Sequence, residues 1–259
     1  MPITQKLLLN FSTVPLAIIV VGLSVVLAVA TTLLAQLIIP NQRRNSSYRL
    51  APVFFGVEAI IYSILLTVVL FSSWVGFQDA QSNVQKEASC LVELYRNTEA
   101  FLPAIKEKIR GLLEEYANSV INEEWKTLAE SKLHPHTIQV AKKIWEVYAG
   151  YDPKTPTEQA FLQESIRKLY ELRECRSERL HDSETGVFPI LWFVLLAGEA
   201  ITVFSISLFA PNLKSRLTAT ILFSLLVGVF FFTIILFDFP FTGEFTVSPN
   251  SFRHALINW

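Results

Sequence analysis

The sequence predicts an all-α membrane protein: four transmembrane helices with a helical insert between the second and the third. Three observations carry that prediction. Hydrophobic residues make up 51% of the 259 and charged residues only 17%, against about 25% charged in an ordinary soluble domain. The charges are also segregated. Residues 78–186 hold 15 of the 22 Lys+Arg and 19 of the 23 Asp+Glu, so the other 150 residues share 7 basic and 4 acidic side chains. Finally, the uncharged stretches are long enough to cross a bilayer core, which takes roughly 20 helical residues. A single soluble globule, a disordered chain and a charge-driven nucleic-acid binder are excluded on these grounds.

The first span falls within Phe11–Ile39, inside a stretch with no charge from Lys6 to Arg43. It is too long for a signal-peptide core, so an uncleaved span is expected despite the small-x-small Ala28-Val29-Ala30. The second runs from about Pro52 to Phe77 and is uncharged after Glu58. The third, Val187 to Ala210, carries one acid, Glu199, and the fourth, Leu217 to Phe237, carries none. Helices are the only single-segment solution, because lipid offers the backbone no hydrogen-bond partner. The expected division is 1–77 for the first two spans, 78–186 for the insert, 187–238 for the last two spans and 239–259 for a C-terminal segment. Four spans put both termini and the insert on one side. The basic residues of the short loops, Arg43, Arg44, Arg49, Lys214 and Arg216, are balanced by a similar number opposite, so charge does not say which side is cytoplasmic.

Within the insert the apolar residues recur at helical spacing. Val84, Ala88, Leu91 and Tyr95 continue the second span as one long helix. Pro103 suits a first helical turn and leads the stripe Ile105, Ile109, Leu112, Tyr116, extended by Val120. After a break at His134-Pro135-His136, a short helix carries Ile138, Ala141, Trp145 and Tyr148 to Gly150. Thr155-Pro156-Thr157-Glu158 is a capping box, followed by Phe161, Ser165, Leu169 and Leu172.

Motifs for catalysis are missing: no Gly-rich phosphate loop, no His-Glu-x-x-His, no Gly-x-Ser-x-Gly and no Cys-x-x-Cys. The expectation is a protein that is not an enzyme and holds no cofactor or metal. His134 and His136 around a proline are a weak pair of metal ligands and read as a solvated turn. Cys90 and Cys175 read as reduced core residues that antiparallel helices would bring to one level. Glu114-Glu115 and Glu123-Glu124 read as solvated helix faces. Inside the spans, Glu58 and Glu199 stand out, since a carboxylate in lipid faces a partner or a cavity. Ser63, Thr67 and Ser72-Ser73 suit local bonds to backbone carbonyls.

Ile61-Tyr62-Ser63-Ile64-Leu65-Leu66, then Trp74, Phe77, Ala80, Val84, Glu87-Ala88 and Leu94-Tyr95-Arg96, resemble the bestrophin-like family of bacterial four-span proteins. Tyr116, Val120, Glu124-Trp125 and Asp152-Pro153-x-Thr155-Pro156 continue the resemblance. Its most specific part is the closing run Asp238-x-Pro240-Phe241-x-Gly243, then Val247-Ser248-Pro249 and Phe252. One departure stands out: Ser47-Tyr48-Arg49 precedes the second span and Glu58 takes an apolar slot.

The resemblance implies kinship with the bestrophins, pentameric anion (chloride-type) channels of the cell membrane with a cytoplasmic helical domain and cytoplasmic termini. Aligning Trp74 and Phe77 with the end of the channel's second span places pore-lining neck positions near Gly56, Ile60 and Ile64. Helical spacing alone puts Ile60, Ile64 and Val68 on one face, which a ring of copies could use as a dewetting constriction or a single chain as a packing face. The alternative to a homo-oligomeric channel is a non-conducting membrane scaffold whose insert binds a protein partner.

Overall fold

The structure is a computed structural model that describes residues 2–38, 51–209, 212–257 and 259. The described residues form helices and turns with no strand. The loop residues Arg43, Arg44 and Ser47-Tyr48-Arg49 lie outside the described residues. Among the described residues, four helices are long and apolar enough to cross a membrane. The chain divides into two compact units, one from 2–75 and 186–238, the other from 76–185 and 239–259.

The first unit holds α1 (Ile3–Asn10), α2 (Thr13–Ile38), the first part of α3 (Ala51–Asn97), α8 (Pro189–Phe209) and α9 (Leu213–Asp238). Lipid supplies no hydrophobic drive between helices, so close packing of small residues and interhelical hydrogen bonds hold them together. The α2–α9 contact shows both. A Cβ on Gly228 would lie 2.9 Å from the Val21 Cα, so only glycine admits this approach. Ser24 donates to the Ser224 carbonyl at 3.1 Å, and the Thr32 and Thr220 hydroxyls meet at 3.0 Å. Tyr62, Leu66 and Val69 of α3 pack with Leu195 of α8 and Val227, Phe231 and Ile234 of α9. The Tyr62 ring sits where a Cβ on Gly198 would fall 2.5 Å from its Cε2, and its hydroxyl donates to the Leu195 carbonyl at 3.0 Å.

The second unit holds the rest of α3, α4 (Pro103–Ser119), a π-helical turn (Val120–Glu124), α5 (Trp125–Leu128), α6 (Pro135–Ala149), α7 (Pro156–Glu184) and α10 (Asn250–Ile257). Proline opens α4, α6 and α7, where its missing N–H costs nothing. The Glu158 amide donates to Thr155 Oγ1 at 3.1 Å, as in a capping box. The Glu158 carboxylate, however, accepts from the Lys154 amide and the Tyr151 hydroxyl. The buried stripe of α6 is Thr137, Val140, Ile144 and Tyr148, so the expected Ile138–Ala141–Trp145 face is turned outward by one position. The Thr137 hydroxyl meets Ser119 Oγ at 2.6 Å in the core, and that bond fixes the rotation. Phe161 likewise lies exposed rather than in the stripe of α7.

Two substitutions test the packing of the span unit. Gly198→Ala should cost about 1–3 kcal/mol, the usual penalty for overpacking, and Leu66→Ala, at a buried position, about 2–5 kcal/mol. Thermal unfolding in detergent reads both, and Gly22→Ala, with open space around its Cβ, should leave the transition unchanged or raise it.

Candidate functional site

In the helical unit four chain segments converge on one guanidinium. Arg179 of α7 is fully buried. Its Nε donates to Glu87 Oε2 of α3 at 2.7 Å, and its Nη2 to Glu124 Oε1 of the π turn at 2.7 Å. Arg176, one turn away on α7, donates from Nη2 to Glu124 Oε2 at 2.8 Å. The Tyr116 hydroxyl donates to Glu87 Oε1 at 2.7 Å, and the Trp125 ring lies 5.5 Å from Arg179 Cζ. Two carboxylates and two guanidiniums give a neutral buried cluster, the condition under which charges tolerate removal from water.

Electrostatics follows from that arrangement. Burial alone would push the Glu124 carboxyl up, but Arg179 and then Arg176 outweigh it and hold it below the usual carboxylate range. Burial would lower the Arg179 value, and the Glu87 carboxylate more than offsets it. Tyr116 is pushed well above its ordinary value by burial and then by Glu87. The expectation that Glu123-Glu124 is a solvated face is thus corrected at Glu124. The local reason is spacing: Tyr116, Val120, Glu124 and Leu128 are all buried at steps of four. An α-helix would rotate each step by about 40°, and the wider π turn absorbs the drift.

The closing motif forms one side of this cluster. Phe241 and Phe252 meet the Trp125 ring edge-on at 5.6 and 6.1 Å, and Trp125 Nε1 donates to the Val247 carbonyl at 3.2 Å. The Val247 amide returns to the Pro240 carbonyl at 2.8 Å. Gly243 has φ of 94°, a left-handed turn that a side chain would strain. Thr242 Oγ1 donates to the Ala129 carbonyl at 2.9 Å. The Pro249 carbonyl accepts the Phe252 amide, and Ser248 Oγ accepts the Asn250 amide at the start of α10. Asp238, in the span unit, accepts a hydrogen bond from the Val187 amide near the start of α8.

His136 does not sit in a merely solvated turn. Its Nδ1 lies 2.7 Å from Glu123 Oε2 and its Nε2 3.2 Å from Glu115 Oε1, with His134 Nδ1 3.4 Å from the same Glu123 oxygen. No group of three His, Cys, Asp or Glu among the described residues is arranged to hold a metal ion. Cys90 and Cys175 are buried free thiols that line the same groove between α3 and α7.

In the span unit, Glu199 is buried and accepts from Ser24 Oγ at 2.5 Å, while Glu58 is half-buried. Ile60, Ile64 and Val68 are 61%, 58% and 59% exposed in the single chain. Gly56 beside them has open space where a Cβ would stand. Ser63 and Thr67 donate to the carbonyls of Ile60 and Ser63. Trp74 is exposed and meets Phe71 at 5.8 Å. Arg179, which organises the other unit, escaped sequence reasoning. The available signal was a charged residue in register with an apolar stripe: Arg179 follows Leu169, Leu172 and Cys175, and Glu124 follows Tyr116 and Val120.

Two experiments check these assignments. Arg179→Met should destabilise the protein by about 3–5 kcal/mol, because it strands the buried Glu87 carboxylate while Glu124 keeps Arg176. Adding Glu87→Gln, which removes the stranded charge, should recover much of the loss in chemical denaturation. Separately, the bonds to Glu123 and then Glu115 raise the His136 value above its ordinary 6.5, so its contribution is complete below that pH and fades as pH rises through the folded value. The bond to His136 lowers Glu123 below its ordinary 4.5, so that contribution fades as pH falls through the folded value. His136→Gln should therefore flatten the loss of stability on the neutral side in a pH series of unfolding midpoints.

A family model described as the bestrophin-like domain matches residues 22–252. Among solved structures, a variant of the bacterial bestrophin homolog from Klebsiella pneumoniae aligns over 93% of this chain and 97% of its own, with 15% identity and a TM-score of 0.67. A second variant of that homolog aligns over 96% and 97%, with 16% identity and a TM-score of 0.62. A search of curated protein sequences finds none that matches. At these identities the structural likeness shows the fold alone, whereas the domain match spans most of the sequence, and the chain belongs to the bestrophin-like family.

Proposed function

We propose that this protein is a homo-oligomeric anion channel, chloride-type in selectivity, whose conduction path is lined by the first half of α3. The observation that carries the reading is the bare outer face of that helix. Tyr62, Leu66 and Val69 point into the span unit, while Ile60, Ile64 and Val68 are left more than half exposed. Copies arranged around an axis would bring those side chains into rings, and an apolar ring resists ions that cannot replace their hydration shell there. Gly56 lies one helical step before the constriction, Glu58 near one mouth, and Trp74 and Phe77 near the other. Closed homo-oligomers are the ordinary way for identical chains to enclose a pore, and the family resemblance favours a pentamer.

By the same kinship, the channel resides in the plasma membrane of a bacterium, with both termini and the helical unit in the cytoplasm. It acts as a passive conduit, without an enzymatic step or cofactor. Impermeant thiol labelling of a cysteine introduced in the 41–48 loop should occur from outside intact cells, and none should occur at Cys90. Labelling at Cys90 from outside would reverse the orientation.

Ile60→Ala combined with Ile64→Ala should ease wetting of the constriction and raise anion flux in proteoliposomes while the oligomer persists in mild detergent. Loss of assembly with unchanged flux would make this face a packing surface and favour a membrane scaffold. A strict monomer of the unmodified protein would also contradict the channel, because four spans leave little room for a central pore.

A further inference from the structure

The outward rotation of α6 leaves a second feature of the helical unit unexplained by conduction. Between α6 and α7 lies an open groove of about 610 Å³, within the 300–1,000 Å³ typical of small-molecule sites. Its floor and lip are apolar, with Leu133, Ile138, Trp145 and Leu169 along it. Leu133 and Ile138 are 52% and 41% exposed there. The helical spacing of the sequence assigns Ile138 to a core, and neither side chain has cover among the described residues of this unit.

The charges are all of one sign. Lys142, Arg173 and Arg176 line the groove and no carboxylate does, although residues 78–186 as a whole carry more acids than bases. The neighbouring groove between α3 and α7 is lined by Glu93, Glu171, Glu174 and Glu178 against Lys86 and Lys168, so the two sides of α7 differ in the sign of their net charge. Arg173 is exposed and makes no ion pair among the described residues. Arg176 spends its Nη2 on Glu124 at 2.8 Å, while its Nε is buried without a hydrogen-bond partner. A guanidinium offers several donors in one plane and pairs well with a carboxylate.

From the apolar floor and the unopposed cationic end, we propose that this groove binds an amphipathic anion, an alkyl chain bearing a carboxylate. The chain would lie along Leu133, Ile138 and Trp145, and the headgroup would pair with Arg173 beside Arg176. Arg176 also touches Glu124, so an occupied groove adjoins the buried cluster that holds α3 to α7. The binding claim does not depend on whether the spans conduct.

Trp145 provides a local reporter. The full chain in lipid nanodiscs is titrated with ω-bromoundecanoate, whose terminal bromine quenches indole fluorescence on contact, and with the uncharged ω-bromoundecanol. The Trp145→Phe variant isolates the signal of this indole from the other four tryptophans. The expected result is saturable quenching of Trp145 by the acid. It should be weaker by about tenfold or more for the alcohol and for Arg173→Glu, as loss of a charge-assisted pair implies. Arg173 lies outside the buried cluster, so its variant tests the headgroup without disturbing Glu124. Equal, non-saturating quenching by acid and alcohol would mean partition into the bilayer and overturn the site. Absence of Trp145 quenching would overturn it as well, leaving the groove covered by a second copy or a protein partner.

Discussion

A guanidinium with no exposed surface must be neutralised where it lies, and that requirement at Arg179 organises the helical unit. Removing one charge from water costs several kcal/mol even after relaxation, so Arg179 is tolerable only if Glu87 and Glu124 meet it in good geometry. Glu87 comes from α3, Glu124 from a π turn and Arg179 from the C-terminal part of α7. Three elements distant in sequence are therefore fixed in rotation and register by one residue.

The aromatic residues around the cluster serve the same constraint. Trp125 covers Arg179, and the C-terminal segment folds back so that Phe241 and Phe252 pack on Trp125. This excludes water from the ion pairs and strengthens them, because their attraction grows as the local dielectric falls. The glycine turn at 243 and the Val247–Pro240 hydrogen bond give the segment the shape that this cover needs. A sequence signature that carries no chemistry of its own thus has a physical role at the far end of a contact chain.

Much of the architecture was legible because its causes are local. Span lengths, the prolines that open α4, α6 and α7, and the Thr155 cap all follow from nearest neighbours and bilayer thickness. On α4 it is Leu113 rather than the half-buried Leu112 that fills the core, while the α3 stripe reads correctly at Val84, Ala88 and Leu91, where polar residues do not displace it. On α6 a polar residue did: Thr137 won a core position through its bond to Ser119, and Ile138 and Trp145 were turned out. Glu124 looked like half of a solvated acidic pair, since its partners lie 52 and 55 residues away. Such a partner leaves no periodic trace. The resemblance flagged Glu87, Tyr116, Glu124 and Trp125 without a reason, and the reason is their shared neighbour Arg179.

The functional account rests on the outer face of α3 meeting water rather than lipid or another helix. In a background with Cys90 and Cys175 replaced by serine, single cysteines at Ile60, Ile64, Leu66, Val68 and Val69 can be exposed to a small, charged methanethiosulfonate in reconstituted bilayers. A pore wall predicts modification at Ile60, Ile64 and Val68, with each modification altering anion flux, and protection at Leu66 and Val69, which point into the span unit. Uniform protection at all five positions would contradict it, because a helix face that no aqueous reagent reaches lines no path for ions.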